Sequence, residues 1–280
     1  MLSYLHAFHA GGHADVLKHT VLLAILRGLT SKDKPLRYVE THAGAGGYDL
    51  RGPQAQKNRE FAGGIELLWN LQDAPPAAAA LLGLARRYNG EGRALANYPG
   101  SPWLARESLR AGDSLYLFEL HPAEHRTLAR NFAGDRRVTV LREEGLAGSI
   151  GLVPPPERRA LVFIDPSYEV KDERERVVET IRKAHRRFAT GVYAVWYPVF
   201  ERHWVDVLER ALRAAGIGRM WLFELQAARD ARDRGLTGSG VVVVNPPWKL
   251  REEMEAALPW LAARLGVDGA GGCRVIELAG

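Results

Sequence analysis

The chain has 280 residues, of which 46% are hydrophobic and 25% are charged, a composition typical of soluble globular proteins. No run approaches the roughly 20 apolar residues of a membrane span, and the first residues lack the basic flank and apolar core of a secretion signal. The single cysteine, Cys273, excludes an internal disulfide and fits a reducing cytoplasm. The net charge of +5 favours a polyanionic partner.

The first predicted element is a helix over residues 13–30, whose second half is apolar nearly all round. A helix of this kind is buried against the rest of a larger domain. Its early turns carry Asp15, Lys18 and His19, and positions 15 and 19 share one face. Ahead of it, residues 1–12 are rich in aromatic residues and histidine, and we expect them to form a lid over a pocket.

A β-prone run over residues 37–41 then breaks into a glycine-rich turn containing Gly44, Gly46 and Gly47. Open α/β sheets hold adenine-bearing cofactors in this way, at the carboxyl ends of their strands. The G-x-G-G spacing is neither the dinucleotide fingerprint nor a P-loop. A tight turn without a ligand would have the same sequence, so the glycines alone do not decide between the two.

Residues 50–100 interrupt the alternation of strands and helices with two predicted helices, over 61–71 and 76–88. A plain βαβ unit needs only about 30 residues. We therefore expect a helical insertion over residues 53–97, within a single domain that spans residues 1–280.

After the insertion, predicted strands and helices alternate. The strands cover 114–119, 138–142, 160–165, 192–197, 220–225 and 241–245, and the helices cover 122–132, 172–187, 201–215 and 252–265. Continuous apolar strands are typical of a sheet covered on both faces. No helix separates the last two strands, which predicts a terminal antiparallel hairpin. Together with the first strand, this pattern predicts an α/β fold of the Rossmann-like class I methyltransferase type, with a seven-stranded, mostly parallel sheet.

Acidic residues recur where the predicted strands end. Glu119 closes the second strand and would accept hydrogen bonds from both ribose hydroxyls of a cofactor. Glu144 and Gly145 follow the third strand and would meet an adenine edge, and Asp165 closes the fourth. A single glutamate at a strand end is common, but the recurrence at one edge of the sheet predicts a cofactor site.

The segment D-P-S-Y at 165–168 is nearly the [D/N]-P-P-[Y/F/W] element of amino-group methyltransferases. The exocyclic amine of adenine is a poor nucleophile because it is conjugated with the ring. Asp165 and the Pro166 carbonyl would accept its two N–H bonds and direct the lone pair, while Tyr168 would stack on the extruded base. The segment N-P-P-W at 245–248 matches the pattern better, but it follows the last strand, so we predict a structural role for it.

Histidines cluster early in the chain, at His6, His9, His13, His19 and His42. No cysteine or H-E-x-x-H motif accompanies them, so we predict no metal site. His42 lies inside the glycine turn and His19 on the preceding helix, so both would face the carboxylate end of the cofactor.

Five stretches together closely resemble the RlmJ family of bacterial methyltransferases, which make N6-methyladenosine in large-subunit ribosomal RNA. They are S-Y-x-H-x-F-H-A-G-x-H-A-D-V-L-K-H-T at 3–20, T-H-A-G-A-G at 41–46, Y-P-G-S-P at 98–102, E-L-H-P at 119–122 and G-V-Y-A-V-W-Y-P-V at 191–199. The similarity extends over essentially the whole chain.

The resemblance implies an S-adenosylmethionine site, which we expect to be formed by His19, His42, Gly44, Ser101, Glu119, Glu144, Gly145 and Asp165. It also implies that Asp165 is the catalytic acceptor and that Tyr4 contacts RNA. His6 and Lys18 match family positions in the same block, and we expect them to contact RNA as well. This chain has Ser167 where the family usually has a second proline, and Glu144 where it usually has aspartate. Neither departure removes a needed functional group.

We therefore expect a cytoplasmic, monomeric enzyme that acts on 23S ribosomal RNA before the subunit is fully assembled, with the insertion helping to hold the RNA. Two alternatives remain open. The same D-P-x-Y chemistry would serve a DNA adenine methyltransferase, and Ser167 would also fit a cofactor-bound RNA-binding protein that has lost its activity.

Overall fold

The computed structural model describes residues 4–90, 92–229 and 235–279. Residues 1–3 of the predicted lid and residue 91 of the predicted insertion lie outside the described residues. The strands are β1 (Arg37–Glu40), β2 (Gly47–Asp49), β3 (Asn97–Pro99), β4 (Ser114–Phe118), β5 (Val138–Leu141), β6 (Ala160–Ile164), β7 (Val192–Val199), β8 (Met220–Gln226), β9 (Gly238–Val244) and β10 (Gly272–Ala279). The helices are α1 (His13–Thr30), α2 (Pro53–Asn58), α3 (Ile65–Leu68), α4 (Pro76–Asn89), α5 (Ser101–Ser108), α6 (Pro122–Asn131), α7 (Gly145–Gly151), α8 (Glu173–Arg187), α9 (Arg202–Ala214) and α10 (Leu250–Leu265).

The main sheet has the strand order β10-β8-β9-β7-β6-β1-β4-β5. Strands β5, β4, β1, β6 and β7 pair in parallel, whereas β9 is antiparallel to both β7 and β8. The sheet order reverses beside β1, because β4 flanks it on one side and β6 on the other. Ligands bind outside the carboxyl ends of the strands at such a switch point.

The predicted count of seven strands is too low, because the sheet has eight strands. The additional strand, β10, pairs antiparallel with β8, so the predicted hairpin of β8 and β9 does not end the sheet. Strand β10 lies at the edge and most of its residues are only partly buried. An edge strand buries few side chains, so its sequence carries a weaker apolar pattern than that of a central strand.

Helices cover both faces of this sheet, which explains the continuous apolar strands. In β6, Leu161 and Phe163 belong to the buried cluster that also contains apolar residues of α1, α4, α5 and α10. The alternate residues Val162 and Ile164 belong to the cluster formed with α7, α8 and α9. Because successive side chains of a strand point to opposite faces, each central strand contributes to both clusters.

The insertion joins this same core. Its α4 residues Leu81 and Leu82 lie in the cluster of α1. Instead of one helix over residues 61–71, the chain forms a 3-10 turn (Glu60–Gly63) and the short α3. The break falls at Gly64, where a β-carbon would lie 2.1 Å from the Gly11 carbonyl oxygen. The pairing of β2 with β3 closes the insertion and brings its end back to the glycine turn.

Within the described part of the chain, no helix is both long and apolar enough to cross a bilayer.

Candidate active site

A cavity of about 970 Å³ opens where β1, β4, β5 and β6 end. It brings together residues that are spread over most of the chain but were predicted to share one site. These lining residues are Tyr4, His6, Lys18, His19, His42, Gly44, Ser101, Glu119, Glu144, Gly145, Asp165 and Pro166. Tyr168 lies outside this lining.

The glycine turn holds the carboxylate of Glu119. Gly44 has a φ of +59°, and its N–H donates to Glu119 Oε2 at 2.8 Å. The N–H of His121 donates to Oε1 at 2.6 Å. Burial raises the pKa of Glu119, and the two backbone donors partly offset this effect. Because a carboxylate has about four lone-pair sites, both oxygens retain the capacity to accept from a ligand.

Gly145 permits a close approach between α7 and the turn after β1. A β-carbon on Gly145 would lie 1.9 Å from the carbonyl oxygen of Thr41, which no side chain tolerates. Glu144 precedes it and caps α7, accepting from the N–H of Ala147 at 2.8 Å. The same carboxylate forms an ion pair with Arg176 at 2.8 Å. The longer side chain at position 144 is therefore held between a helix end and a cation.

Two histidines in the lining are neutral at physiological pH. Burial lowers the pKa of His19 to about 3 and that of His42 to about 4. His19 Nδ1 shares a hydrogen bond with the Tyr98 hydroxyl at 2.9 Å, and His42 Nδ1 shares one with Thr41 Oγ1 at 2.8 Å. Both rings also line the cavity. Among the residues the structure describes, no cluster of three or more histidine, cysteine or acidic side chains could hold a metal ion.

A buried acid that sequence reasoning did not assign lies beneath Ser101. Glu40 ends β1, is fully buried and accepts hydrogen bonds from the hydroxyls of Ser101 and, at 2.9 Å, Tyr38. Burial raises the pKa of Glu40 to about 8, although both hydroxyl donors oppose the shift. The available signal was an acidic residue in an otherwise apolar central strand, where an acid is costly unless it has partners.

A chain of polar contacts runs from the amino terminus to Asp165. The Tyr4 hydroxyl shares a hydrogen bond with His6 Nδ1 at 2.9 Å, and His6 Nε2 donates to Asp15 Oδ2 at 2.9 Å. Lys18 Nζ lies 2.9 Å from Asp15 Oδ1 and 2.7 Å from Asp165 Oδ2. Burial alone would lower the pKa of Lys18, but the two carboxylates outweigh it and raise this pKa. The cation between them therefore stays charged.

The contacts of Lys18 and Asp15 are the part of the cavity lining that the sequence predicted least well. Lys18 is buried and ion-paired, and it also lines the cavity, so its predicted contact with RNA stays a prediction. Asp15 received no role, although it joins His6 to Lys18. Charged residues on the early turns of an apolar helix were the signal, since buried charges require partners.

Tyr168 does not present its ring to the cavity. Its hydroxyl donates to the Trp196 carbonyl at 2.9 Å, and its ring meets that of Trp204 edge-on with 5.0 Å between centroids. Its φ of +55° is unusual for an aromatic residue. The stacking role given to Tyr168 therefore stays a prediction.

The N-P-P-W segment lies at the end of the sheet opposite the cavity, where the parallel strands begin. It follows β9, and β9 is antiparallel to β7, with Val244 opposite Tyr193 near the start of β7. Asn245 Nδ2 donates to the carbonyls of Ala189 and Gly191, each at 2.8 Å. The segment thus holds the loop after α8, as the predicted structural role requires.

The strand order, the reversed β9 beside β7 and the polar cavity at the carboxyl edge define a class I methyltransferase of the Rossmann-like type. Residues 33–277 match the family described as "Ribosomal RNA large subunit methyltransferase D, RlmJ", and the chain belongs to this family. Proteins from Escherichia coli and Haemophilus influenzae, both named "Ribosomal RNA large subunit methyltransferase J", are each 44% identical over 97% of this chain and 96% of their own length.

Solved structures share the fold of this chain. A crystal structure of a Legionella pneumophila protein superposes with a TM-score of 0.88 at 36% identity, covering 96% of this chain and 98% of that one. A probable spermidine synthase from Corynebacterium glutamicum reaches a TM-score of 0.50 at 10% identity, covering 96% of this chain and 77% of that one. The second likeness concerns the fold alone.

Proposed function

We propose that this protein is an S-adenosylmethionine-dependent methyltransferase that forms N6-methyladenosine in 23S ribosomal RNA. The observation that carries the proposal is the placement of Asp165 and Pro166. Both line the cavity at the end of β6, where Lys18 holds one oxygen of the Asp165 carboxylate at 2.7 Å. The names of the two curated relatives support the choice of large-subunit RNA as substrate.

The lining residues fit the proposed cofactor. The cavity has a volume of about 970 Å³, which is ample for a nucleoside with an amino-acid arm. Glu119 would accept from the ribose hydroxyls, since its two backbone donors leave acceptor capacity on each oxygen. The neutral rings of His19 and His42 would donate to the carboxylate of the amino-acid arm. Gly44, Ser101, Glu144 and Gly145 would complete the site.

S-adenosylmethionine, when bound, supplies a methyl group on a positively charged sulfur. The remaining chemistry belongs to the chain. Lys18 occupies Asp165 Oδ2, which leaves Oδ1 to accept one N–H of the target amine. The Pro166 carbonyl would accept the other N–H. Two acceptors would orient the nitrogen lone pair and increase its electron density, a gain realised mainly in the transition state.

The amino-terminal segment and the insertion would hold the RNA. Tyr4, His6 and His9 line the cavity, and His9 Nδ1 contacts Glu60 of the insertion at 2.7 Å. A tail joined to the insertion beside Asp165 would contact the nucleotides that flank the target base. We further propose a cytoplasmic monomer that acts on RNA before the subunit is fully assembled.

The test is a methylation assay with labelled cofactor and nucleoside analysis of the products. Protein-free 23S ribosomal RNA, intact large subunits and DNA of matched sequence serve as parallel substrates. We expect N6-methyladenosine in the protein-free RNA and little incorporation into the other two. Incorporation into DNA alone would favour the DNA-methylating alternative. Absence of transfer to any substrate, with cofactor bound, would favour a non-catalytic binding protein.

A further inference from the structure

One side of β7 forms an apolar wall of the cavity. Trp196, Pro198 and Phe200 all line it. Trp196 and Pro198 are alternate positions of β7, so their side chains lie on the same face, and Phe200 follows directly after the strand. Trp196 is half-buried and Pro198 buried, whereas Phe200 is 49% exposed. The wall therefore runs from the interior of the cavity to solvent and ends in an aromatic ring.

The register of the sheet places Phe200 beyond Asp165. Strand β6 ends at Ile164, opposite Val195 of β7. Strand β7 continues to Val199, paired with β9, so it extends about 13 Å past this point at 3.3 Å per residue. Asp165 thus lies near the level of Trp196, and Phe200 lies further out, at the mouth.

The cavity lining contains two more exposed apolar side chains. Leu120 follows β4 and is 43% exposed, and Val170 follows the D-P-S-Y segment and is 45% exposed. Both line the same cavity as Phe200. Exposed apolar side chains that line a polar cavity are typical of a ligand-binding surface.

Other aromatic rings at this site already have protein neighbours. Tyr4 stacks on His9 with 5.4 Å between centroids, and Lys18 Nζ lies 5.4 Å from the centre of the Trp196 ring. Tyr168 packs edge-on against Trp204, outside the lining. Phe200, by contrast, keeps half of its surface exposed.

We propose that Phe200 is the stacking platform for the target adenine as the base leaves the RNA and enters the cavity. The inference rests on the proposed function and moves the stacking role from Tyr168 to a residue outside the D-P-S-Y segment. Every nucleobase has a π-face, and stacking on an aromatic side chain stabilises a base that has left its neighbours. Phe200 would hold the base while Asp165 and Pro166 engage its amine.

Substitutions that separate aromatic stacking from apolar bulk test this proposal. Phe200→Leu keeps an apolar side chain but removes the π-face, and Phe200→Tyr keeps the ring. We expect Phe200→Leu to lower kcat/KM for 23S ribosomal RNA by about 5- to 150-fold, with unchanged cofactor affinity and melting temperature. Phe200→Tyr should remain near the wild type. Trp248→Leu is a matched control, because Trp248 is 90% exposed and follows β9 at the opposite edge.

Two outcomes would overturn the inference. One is a normal kcat/KM for Phe200→Leu when the wild-type protein methylates RNA under the same conditions. This result would overturn the role of Phe200 and leave the proposed function intact. The other is an equal loss in Phe200→Leu and Phe200→Tyr, which would assign Phe200 a packing role. If the wild type itself transferred no methyl group to RNA, both the proposed function and the inference would fail.

Discussion

The ammonium group of Lys18 lies 2.7 Å from Asp165 Oδ2, although 147 positions separate the two residues in sequence. Helix α1, which precedes the whole sheet, thereby reaches the acid that follows β6. The same ammonium group lies 2.9 Å from Asp15, so one buried cation balances two carboxylates. Lys18 therefore holds one oxygen of Asp165 and joins it to Asp15 on the first turn of α1.

Replacing Lys18 by methionine should damage both stability and activity. Methionine has a similar length but no charge, so Asp165 would lose its ion-pair partner and Asp15 would keep only His6. Removing one partner from a buried pair costs about 3–5 kcal/mol. We expect a drop of that size in the free energy of unfolding, measured with urea, and loss of methyl transfer. Equal stability of Lys18→Met and the wild type would show that the pair contributes nothing to folding.

Glu40 should make stability depend on pH. Burial raises its pKa from 4.5 to about 8, so the folded state holds the proton more tightly than the unfolded state. The resulting stability is fully present below pH 4.5 and is lost as the pH rises through 8. Between these values the free energy of unfolding should fall by about 1.4 kcal/mol per pH unit from this group.

Glu40→Gln removes the titrating proton and keeps an oxygen that accepts from Ser101. Urea denaturation of both proteins at several pH values between 5 and 8 measures the difference. We expect the mutant curve to be flatter than the wild-type curve. Two parallel curves would mean that Glu40 does not titrate in this range.

Replacing Tyr4 should lower the rate of RNA methylation and leave the affinity for the cofactor unchanged. Tyr4→Ala removes the ring that stacks on His9 and the hydroxyl bonded to His6. Tyr4→Phe removes only the hydroxyl. Loss of an aromatic contact to a base costs about 1–3 kcal/mol, so Tyr4→Ala should lower kcat/KM for RNA more than Tyr4→Phe does. Calorimetry should find the same cofactor affinity in both variants, and normal RNA methylation by Tyr4→Ala would make the segment purely structural.

The sequence predicted those site residues whose position depends on the order of strands and helices along the chain. Glu119, Glu144 and Asp165 each follow a strand of recognisable pattern, and parallel strands bring their ends to one edge. The antiparallel direction of β9, which removes Asn245 from that edge, followed from the missing helix before it. Long-range partners were not accessible in this way. No local pattern pairs Lys18 with Asp165, because their contact depends on how α1 packs across the sheet.

Two further elements, α7 and β10, also escaped prediction. Helix α7 has seven residues, and it is defined by the Glu144 cap and the contact of Gly145 with Thr41 more than by an apolar face. The edge strand β10 has few fully buried side chains. Both elements depend on tertiary contacts, and propensity is a weak guide where such contacts dominate.

Asn245→Ala tests the choice between the two D/N-P-x-aromatic segments. The mutation removes both hydrogen bonds from Nδ2 to the carbonyls of Ala189 and Gly191, and it places alanine at a φ of +53°. We expect about 1–3 kcal/mol less stability and a normal methylation rate per folded molecule. A large loss of rate with unchanged melting and cofactor affinity would identify N-P-P-W as the catalytic segment.

The most direct test of the account is the single-turnover rate of methyl transfer to protein-free 23S ribosomal RNA by Asp165→Ala, measured with labelled cofactor at saturation. The mutation removes the acceptor for the target amine and leaves the Glu119 contacts with Gly44 and His121 in place. We predict a rate lower by about 100-fold or more, while cofactor affinity measured by calorimetry changes only moderately. A rate that stays within about tenfold of the wild type, in a variant that binds cofactor, would contradict the assignment of Asp165.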